Sequence, residues 1–212
     1  MSTPEALLID FGGVLTTSVF DSFAAFCRRE GLPEDALRES FARDEVAARL
    51  LVDAEEGRLG DEEFGRRLAA RLCEGTDVEL DPEGLLERMN AGLRPEPAMV
   101  RCTAAIRAGG VTTVLVSNSL GRATYAWCNF DELFDHVVIS AELGVRKPSR
   151  RIFRLAADRA GVSPEQCVMV DDLEQNLVGA RRIGMRTILH TEPAATLAEL
   201  EQTFGVALGT AA

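Results

Sequence analysis

The chain contains five short apolar runs rich in β-branched residues, each too short to form a helix. The runs cover residues 6–11, 112–117, 136–140, 167–171 and 186–190. Continuous apolar runs of this length are typical of strands buried on both faces of a parallel sheet. From Val111 onward they alternate with amphipathic stretches at 150–160, 174–183 and 195–204, whose spacing predicts helices. Alternating strands and helices predict an α/β domain built on a Rossmann-like, doubly wound parallel sheet.

Between the first two runs, the apolar positions follow helical spacing and show no strand-like alternation. This spacing predicts helices at residues 19–30, 34–43, 45–56, 61–73 and 82–90. Residues 31–92 carry 17 acidic and 8 basic side chains, so most of the net charge of −11 lies there. We therefore predict an all-helical cap domain at residues 17–92, inserted into a core domain of residues 1–16 and 93–212. Residues 94–97, Arg-Pro-Glu-Pro, are predicted to form the linker back to the core.

The overall composition limits the partners and the compartment. A net charge of −11 disfavours a nucleic acid as partner, and no apolar stretch approaches the roughly 20 residues of a membrane span. The N-terminus lacks the basic and apolar regions of a signal peptide. The five cysteines form no C-x-x-C pair, which favours reduced thiols. These features predict a cytoplasmic protein, a monomer or a homodimer, that binds neither nucleic acid nor membrane.

Polar residues lie at or shortly after the ends of four of the predicted strands, at the edge where open parallel sheets bind their ligands. In strand order they are Asp10, Ser117 with Asn118, Lys147, and Asp171 with Asp172. Lys147 is also the only lysine among 23 basic residues. The sequence therefore predicts that carboxylates, a hydroxyl and an ammonium group converge at one edge of the sheet.

This combination of groups fits phosphoryl transfer. Clustered carboxylates favour Mg²⁺, and Mg²⁺ brings a phosphate that needs a positive charge and hydrogen-bond donors. Lys147 can supply the charge, while Ser117 and the backbone N–H groups of residues 11–13 can supply the donors. Asp10 is then placed to attack phosphorus and form an aspartyl-phosphate. The expected substrate is a small phosphorylated metabolite.

The strand-end residues fall within four short motifs. These are Asp10-Phe11-Gly12-Gly13-Val14-Leu15, Val116-Ser117-Asn118, Lys147-Pro148, and Val168-Met169-Val170-Asp171-Asp172 with Asn176. In this order the motifs resemble those of the haloacid dehalogenase-like (HAD) hydrolases, and the resemblance runs from about residue 5 to about residue 204. The predicted helical insert resembles the family's C1-type α-helical cap. Within the family, the chain resembles the N-terminal phosphatase domain of soluble epoxide hydrolase.

The resemblance implies a role for each of these residues. The catalytic residues would be Asp10, as nucleophile, with Ser117 and Lys147. The Mg²⁺ ligands would be Asp10, the backbone carbonyl of Gly12, Asp172 and Asp171, the last either as a ligand or as a neighbour of Lys147. The substrate phosphate would be bound by Gly12, Gly13, Ser117, Asn118 and Lys147. Asn176 would orient the loop of the metal site.

The sequence departs from the family pattern at Gly12, where related phosphatases carry an aspartate that protonates the leaving group. Such a group contributes about 10²–10⁴ in rate. Three outcomes stay open: a slow phosphatase, one that uses water or a cap residue as the acid, or one whose substrate needs little assistance. Acyl phosphates and anomeric sugar phosphates are substrates of the last kind.

Two other classes of protein also fit the missing aspartate. A 2-haloacid dehalogenase releases halide, which needs no proton, but it also needs no Mg²⁺. Asp171 and Asp172 would then lie together uncompensated, so the acidic pair favours the phosphatase. The remaining alternative is a non-catalytic HAD-like protein that binds a phosphorylated ligand.

Overall fold

Five parallel strands form one sheet in the computed structural model, which describes residues 4–206. In chain order they are β1 (Ala6–Ile9), β2 (Thr112–Ser117), β3 (His136–Ile139), β4 (Cys167–Asp171) and β5 (Arg186–Leu189). Their spatial order is β3-β2-β1-β4-β5, and each neighbouring pair is parallel. This confirms the predicted α/β sheet. The predicted first strand, 6–11, is two residues too long, because the chain turns into a loop at Asp10.

Helices cover both faces of this sheet, as the doubly wound prediction requires. They are α6 (Pro97–Ala108), α7 (Phe130–Leu133), α8 (Ser140–Leu143), α9 (Arg150–Ala160), α10 (Glu174–Arg181) and α11 (Pro193–Phe204). Residues from α6, α7 and α11 pack on one face with Leu7 and Ile9. Residues from α9 and α10 pack on the other face with Ala6 and Leu8. The alternation of β1 side chains between the two clusters follows from the two-residue period of a strand.

Between β1 and α6 the chain forms five helices, which we call the helical segment. They are α1 (Val19–Arg29), α2 (Ala36–Arg43), α3 (Glu45–Glu55), α4 (Asp61–Cys73) and α5 (Leu85–Asn90). The helical segment has a hydrophobic cluster of its own, centred on Phe26, Phe64 and Leu68. The helix predicted at 82–90 begins only at Leu85, because Gly84 takes the left-handed conformation at φ 61°. The domain bounds at 17 and 92 stay a prediction.

The chain leaves the sheet for the helical segment and returns to it at neighbouring points. The N–H of Thr17 donates to the carbonyl of Arg94 at 2.9 Å, and the N–H of Glu96 donates to the carbonyl of Leu15 at 2.8 Å. Glu96 also caps α6, and Pro97 occupies its first turn, where a proline is tolerated. The outgoing and returning chain segments therefore form a short antiparallel bridge beside the sheet edge that carries Asp10. Within residues 4–206, no helix is long and apolar enough to span a membrane.

Candidate active site

Lys147 lies at the centre of the residues that follow the strands. Its side chain is fully buried, and Nζ lies 2.8 Å from Oδ2 of Asp10 and 2.7 Å from Oδ2 of Asp171. One ammonium group thus joins the loop after β1 to the end of β4. Arginine would bring a planar fork to a position that holds a compact charge between two carboxylates.

The charges around Lys147 determine its protonation. Burial alone would lower the pKa of Lys147, but the negative charges of Asp10 and Asp171 raise it above its usual value. Burial raises the pKa of Asp10, Lys147 opposes the rise, and the other two carboxylates add to it. Lys147 is therefore held as a cation among carboxylates that repel one another.

Asp10, Asp171 and Asp172 form an acidic cluster in which one oxygen of each residue lies within 4.8 Å of the others. Asp171 is held in place by the N–H of Leu173 and by Nδ2 of Asn176, each donating to its Oδ1 at 2.9 Å. Burial and the neighbouring Asp171 raise the pKa of Asp172 to about 6. An all-oxygen donor set of this kind fits Mg²⁺ and would be relieved of its repulsion by the cation.

The two glycines after Asp10 allow neighbouring side chains to lie close to the backbone of this loop. Gly13 has φ +77°, and a Cβ at this position would lie 2.3 Å from Oδ2 of Asp172. A Cβ on Gly12 would lie 2.7 Å from Cγ2 of Val19. Only a residue without a side chain therefore fits beside the acidic cluster, and Val19 occupies the space next to Gly12.

The backbone N–H groups of residues 11–13 correct one expectation. The N–H of Phe11 donates to Oδ1 of Asp10 at 2.6 Å, and that of Gly13 donates to Oγ1 of Thr16 at 3.2 Å. Both N–H groups already donate to side chains of the same loop, so neither is free to donate to a ligand. Among residues 4–206, the N–H of Gly12 makes no hydrogen bond, and it is the donor of this loop that a ligand can use.

Ser117 and Asn118 have different neighbours at the end of β2. Asn118 fixes the backbone of Lys147, since its Oδ1 accepts from the Lys147 N–H at 2.8 Å and its Nδ2 donates to the Lys147 carbonyl at 3.2 Å. The Ser117 hydroxyl lies 2.8 Å from the hydroxyl of Tyr125. Asn118 thus positions the lysine in addition to lining the site, and Ser117 belongs to a hydroxyl pair.

A cavity of about 490 Å³ connects these residues to the helical segment. At the sheet edge it is lined by Asp10, Gly12, Ser117, Asn118, Lys147, Asp172 and Asn176. The wall from the helical segment is largely apolar and includes Val19, Phe20, Phe23, Phe41, Ala42, Ala48, Leu51 and Val52. Arg38 and Glu55 are the charged side chains of that wall. The cavity is therefore ionic at one end and apolar at the other.

Tyr125 and Glu55 are two of the cavity residues that were not predicted from the sequence. Tyr125 packs in the core of the sheet domain, yet its hydroxyl reaches Ser117 and the cavity. Glu55, the last residue of α3, is 8% exposed and lines the cavity from the helical segment. Neither residue lies at a strand end, so the reasoning that located Asp10 and Lys147 could not reach them.

A family model described as haloacid dehalogenase-like hydrolase matches residues 4–184, and the chain belongs to this family. Bifunctional epoxide hydrolase 2 of Rattus norvegicus is 34% identical over 114 residues, which cover 50% of this chain and 21% of that protein. Glyceraldehyde 3-phosphate phosphatase of Methanopyrus kandleri is 38% identical over 104 residues, covering 46% and 44%. (S)-2-haloacid dehalogenase 1 of a Pseudomonas strain is 28% identical over 127 residues, covering 54% and 56%.

The aligned parts represent between 21% and 56% of the length of these relatives, which include both phosphatases and dehalogenases. Among solved structures, a HAD family enzyme of Bacteroides thetaiotaomicron in complex with magnesium and inorganic phosphate aligns with a TM-score of 0.65 and 21% identity. The alignment covers 89% of this chain and 94% of that one. At this identity the likeness shows a shared fold.

Proposed function

We propose that the protein is a Mg²⁺-dependent phosphatase that hydrolyses a small phosphate ester through an aspartyl-phosphate on Asp10. The acidic cluster carries this proposal, because three carboxylates lie within 4.8 Å of one another and two of them contact a buried lysine. Asp10, Asp172 and the Gly12 carbonyl would hold Mg²⁺, with Asp171 as a further ligand or as the partner of Lys147. When bound, Mg²⁺ would neutralise the phosphate charge and hold its oxygens in line for attack.

Each side chain around the acidic cluster has a separate role in the proposed reaction. Asp10 attacks phosphorus with one carboxylate oxygen, and Lys147 compensates the charge of the phosphate as Asp10 becomes esterified. The Ser117 hydroxyl and the free N–H of Gly12 would donate to the other phosphate oxygens. Asn118 keeps the Lys147 backbone in place throughout, and Asn176 does the same for Asp171.

The dehalogenase is the second candidate, because Gly12 removes an aspartate that halide release does not need. The two functions separate by metal dependence. We expect p-nitrophenyl phosphate hydrolysis to require Mg²⁺ and to fall at least about 100-fold with EDTA, since the carboxylates repel a phosphate without the cation. Hydrolysis of 2-chloropropionate in the presence of EDTA, with no phosphatase activity, would establish the dehalogenase instead.

The apolar wall of the cavity indicates the chemical class of the alcohol. Phe20, Phe23, Phe41 and Leu51 line the same cavity as Lys147, so we infer that they contact the alcohol part of a phosphate ester bound there. Such a wall removes apolar surface from water and offers few partners to sugar hydroxyls. We therefore infer that the substrate is the phosphate monoester of an apolar alcohol, and that sugar phosphates are poor substrates.

This substrate class predicts a dependence on chain length. Each added methylene of an n-alkyl phosphate should raise kcat/KM by about fourfold until the cavity is filled, since burying one methylene gives about 0.8 kcal/mol. Leu51→Asn should flatten this dependence, whereas Val46→Asn should leave it unchanged, because Val46 is exposed on the same helix. A higher kcat/KM for glucose 1-phosphate or acetyl phosphate than for every alkyl phosphate would contradict the inference.

The expected compartment and partners are unchanged by the structure. All five cysteines are free thiols, and two of them, Cys73 and Cys128, are partly exposed. We propose that the protein acts in the cytoplasm, as a monomer or a homodimer, on a small phosphorylated metabolite.

A further inference from the structure

The position that normally carries the acid is closed in this protein. Gly12 has no side chain, and Cγ2 of Val19 lies 2.7 Å from the place where its Cβ would be. The methyl group therefore lies against the place where a side chain at position 12 would begin. A proton for the leaving group has to come from another part of the cavity.

The in-line geometry of phosphoryl transfer shows which part this is. The leaving oxygen lies opposite the attacking oxygen of Asp10, so it faces away from the sheet edge and toward the helical segment. Of the carboxylates that line the cavity, Asp10 and Asp172 belong to the acidic cluster. Glu55 is the carboxylate of the cavity that the helical segment supplies.

Glu55 is held in place by contacts that do not satisfy its carboxylate. Its backbone carbonyl accepts a hydrogen bond from the hydroxyl of Ser140, and Gly57 packs against the backbone of Ala141. Its Oε2 forms an ion pair with Nε of Arg146, but both buried atoms lack a hydrogen bond. Oε1 makes no hydrogen bond to any residue of 4–206. The carboxyl group is thus fixed in the cavity wall with capacity to bind a ligand.

We propose that Glu55 is the catalytic acid and base of this protein, replacing the aspartate absent at Gly12; the proposal rests on the proposed phosphatase function. In the first step, Asp10 bonds to phosphorus, the bond from phosphorus to the alcohol oxygen breaks, and that oxygen takes the proton of Glu55. In the second step, water attacks phosphorus and gives a proton to Glu55 as the bond to Asp10 breaks. Alcohol and phosphate are released, and both carboxyl groups return to their starting states.

The surroundings of Glu55 suit a group that exchanges protons near neutrality. Burial raises the pKa of Glu55 to about 7, Arg146 and Lys147 oppose the rise, and Glu56 adds to it. The other charged groups of the cavity are Asp10, Asp172 and Arg38. The Tyr125 hydroxyl is paired with Ser117, and burial raises its pKa above the usual value.

The proposal is tested by comparing leaving groups. Phenyl phosphate needs a proton on departure, whereas p-nitrophenyl phosphate leaves as a stable anion. We expect Glu55→Gln to lower kcat/KM for phenyl phosphate by about 10²-fold to 10³-fold and for p-nitrophenyl phosphate by less than about fivefold. Glu45→Gln makes the same chemical change at the exposed start of the same helix, outside the cavity lining, and should leave both values unchanged.

The pH profile of the wild-type protein provides a measurement that needs no variant. An acid must carry its proton, so hydrolysis of phenyl phosphate should be present below about pH 7 and be lost as the pH rises through that value. The profile for p-nitrophenyl phosphate should lack this alkaline limb. Arg146→Gln removes a charge that opposes the rise in pKa, so it should move the limb to higher pH.

Three results distinguish the possible failures. Equal losses on both substrates in Glu55→Gln would overturn the proposal and make Glu55 a structural residue of the ion pair with Arg146. Identical alkaline limbs on both substrates in the wild type would also overturn it. If neither substrate is hydrolysed in a way that depends on Asp10, the proposed function itself fails, and the assignment of Glu55 fails with it.

Discussion

Asp10→Asn should lower Mg²⁺-dependent hydrolysis of p-nitrophenyl phosphate by roughly 10⁴-fold to 10⁶-fold, the range seen when a nucleophile or its partner is removed from an enzyme. The amide cannot form the covalent phosphate intermediate, and it is a weaker ligand for the cation. Because Asp10 lies among carboxylates that repel it, the substitution should not impair folding. Steady-state kinetics with purified protein, together with thermal unfolding, measure both expectations.

Asp21→Asn provides a matched control, since Asp21 is exposed on α1 and lies outside the cavity lining. It should have wild-type activity. If Asp10→Asn and the wild type show the same rate on every phosphate ester tested, the chain is a phospho-ligand-binding protein rather than a hydrolase of phosphates. Isothermal titration with inorganic phosphate and Mg²⁺ would then be the appropriate measurement.

Lys147→Met should destabilise the protein by about 3–5 kcal/mol, because it leaves two buried carboxylates without their counter-charge. For a chain of 212 residues this corresponds to a fall in Tm of about 10 °C. Calorimetry or far-UV circular dichroism measures this shift. Arg150→Met removes an exposed positive charge at the start of α9 and should change the unfolding free energy by less than about 0.5 kcal/mol.

Lys147→Arg separates the charge from the shape of this side chain. The guanidinium keeps the charge but cannot contact Asp10 and Asp171 from the position of a compact ammonium. We expect most of the stability to remain and phosphatase activity to fall by at least about 100-fold, since the phosphate contact is misplaced by the larger group. Wild-type activity of Lys147→Arg would show that the single lysine of this chain has no specific function.

The sheet and its edge could be predicted because the relevant signals are local. Each buried parallel strand is a short apolar run, and the residue that follows it reaches the ligand edge without further assumptions. Asp10, Ser117 and Asp171 are therefore brought together by the topology alone, whereas Lys147 follows α8 and is held in place by Asn118. Helix bounds within the helical segment were also close, since spacing and glycines mark them. Gly84 gave the largest difference, because its left-handed conformation delays the start of α5.

The cavity wall from the helical segment could not be predicted, because the contacts that position it join residues distant in sequence. Glu55 reaches the cavity because the end of α3 docks on Ser140, which lies 85 residues further along the chain. Val19 closes the space beside Gly12 through the entry angle of α1, which no local pattern specifies. Both facts depend on how the helical segment lies against the sheet. The sequence shows that an acid is missing at Gly12, but only the three-dimensional arrangement shows which side chains lie around it.

The antiparallel bridge between the outgoing and returning chain segments affects which substitutions the protein can tolerate. The backbone hydrogen bonds of Thr17 with Arg94 and of Leu15 with Glu96 hold the two ends of the helical segment together. These bonds close the helical segment where it leaves and rejoins the sheet. The entropic cost of that closure depends only weakly on the length of the segment. We expect substitutions among the apolar residues of this segment, such as Phe41 and Leu51, to change which alcohol fits the cavity without moving Asp10 relative to Lys147. The helical segment thus supplies both the apolar wall and Glu55, whereas the sheet edge supplies Asp10 and Lys147.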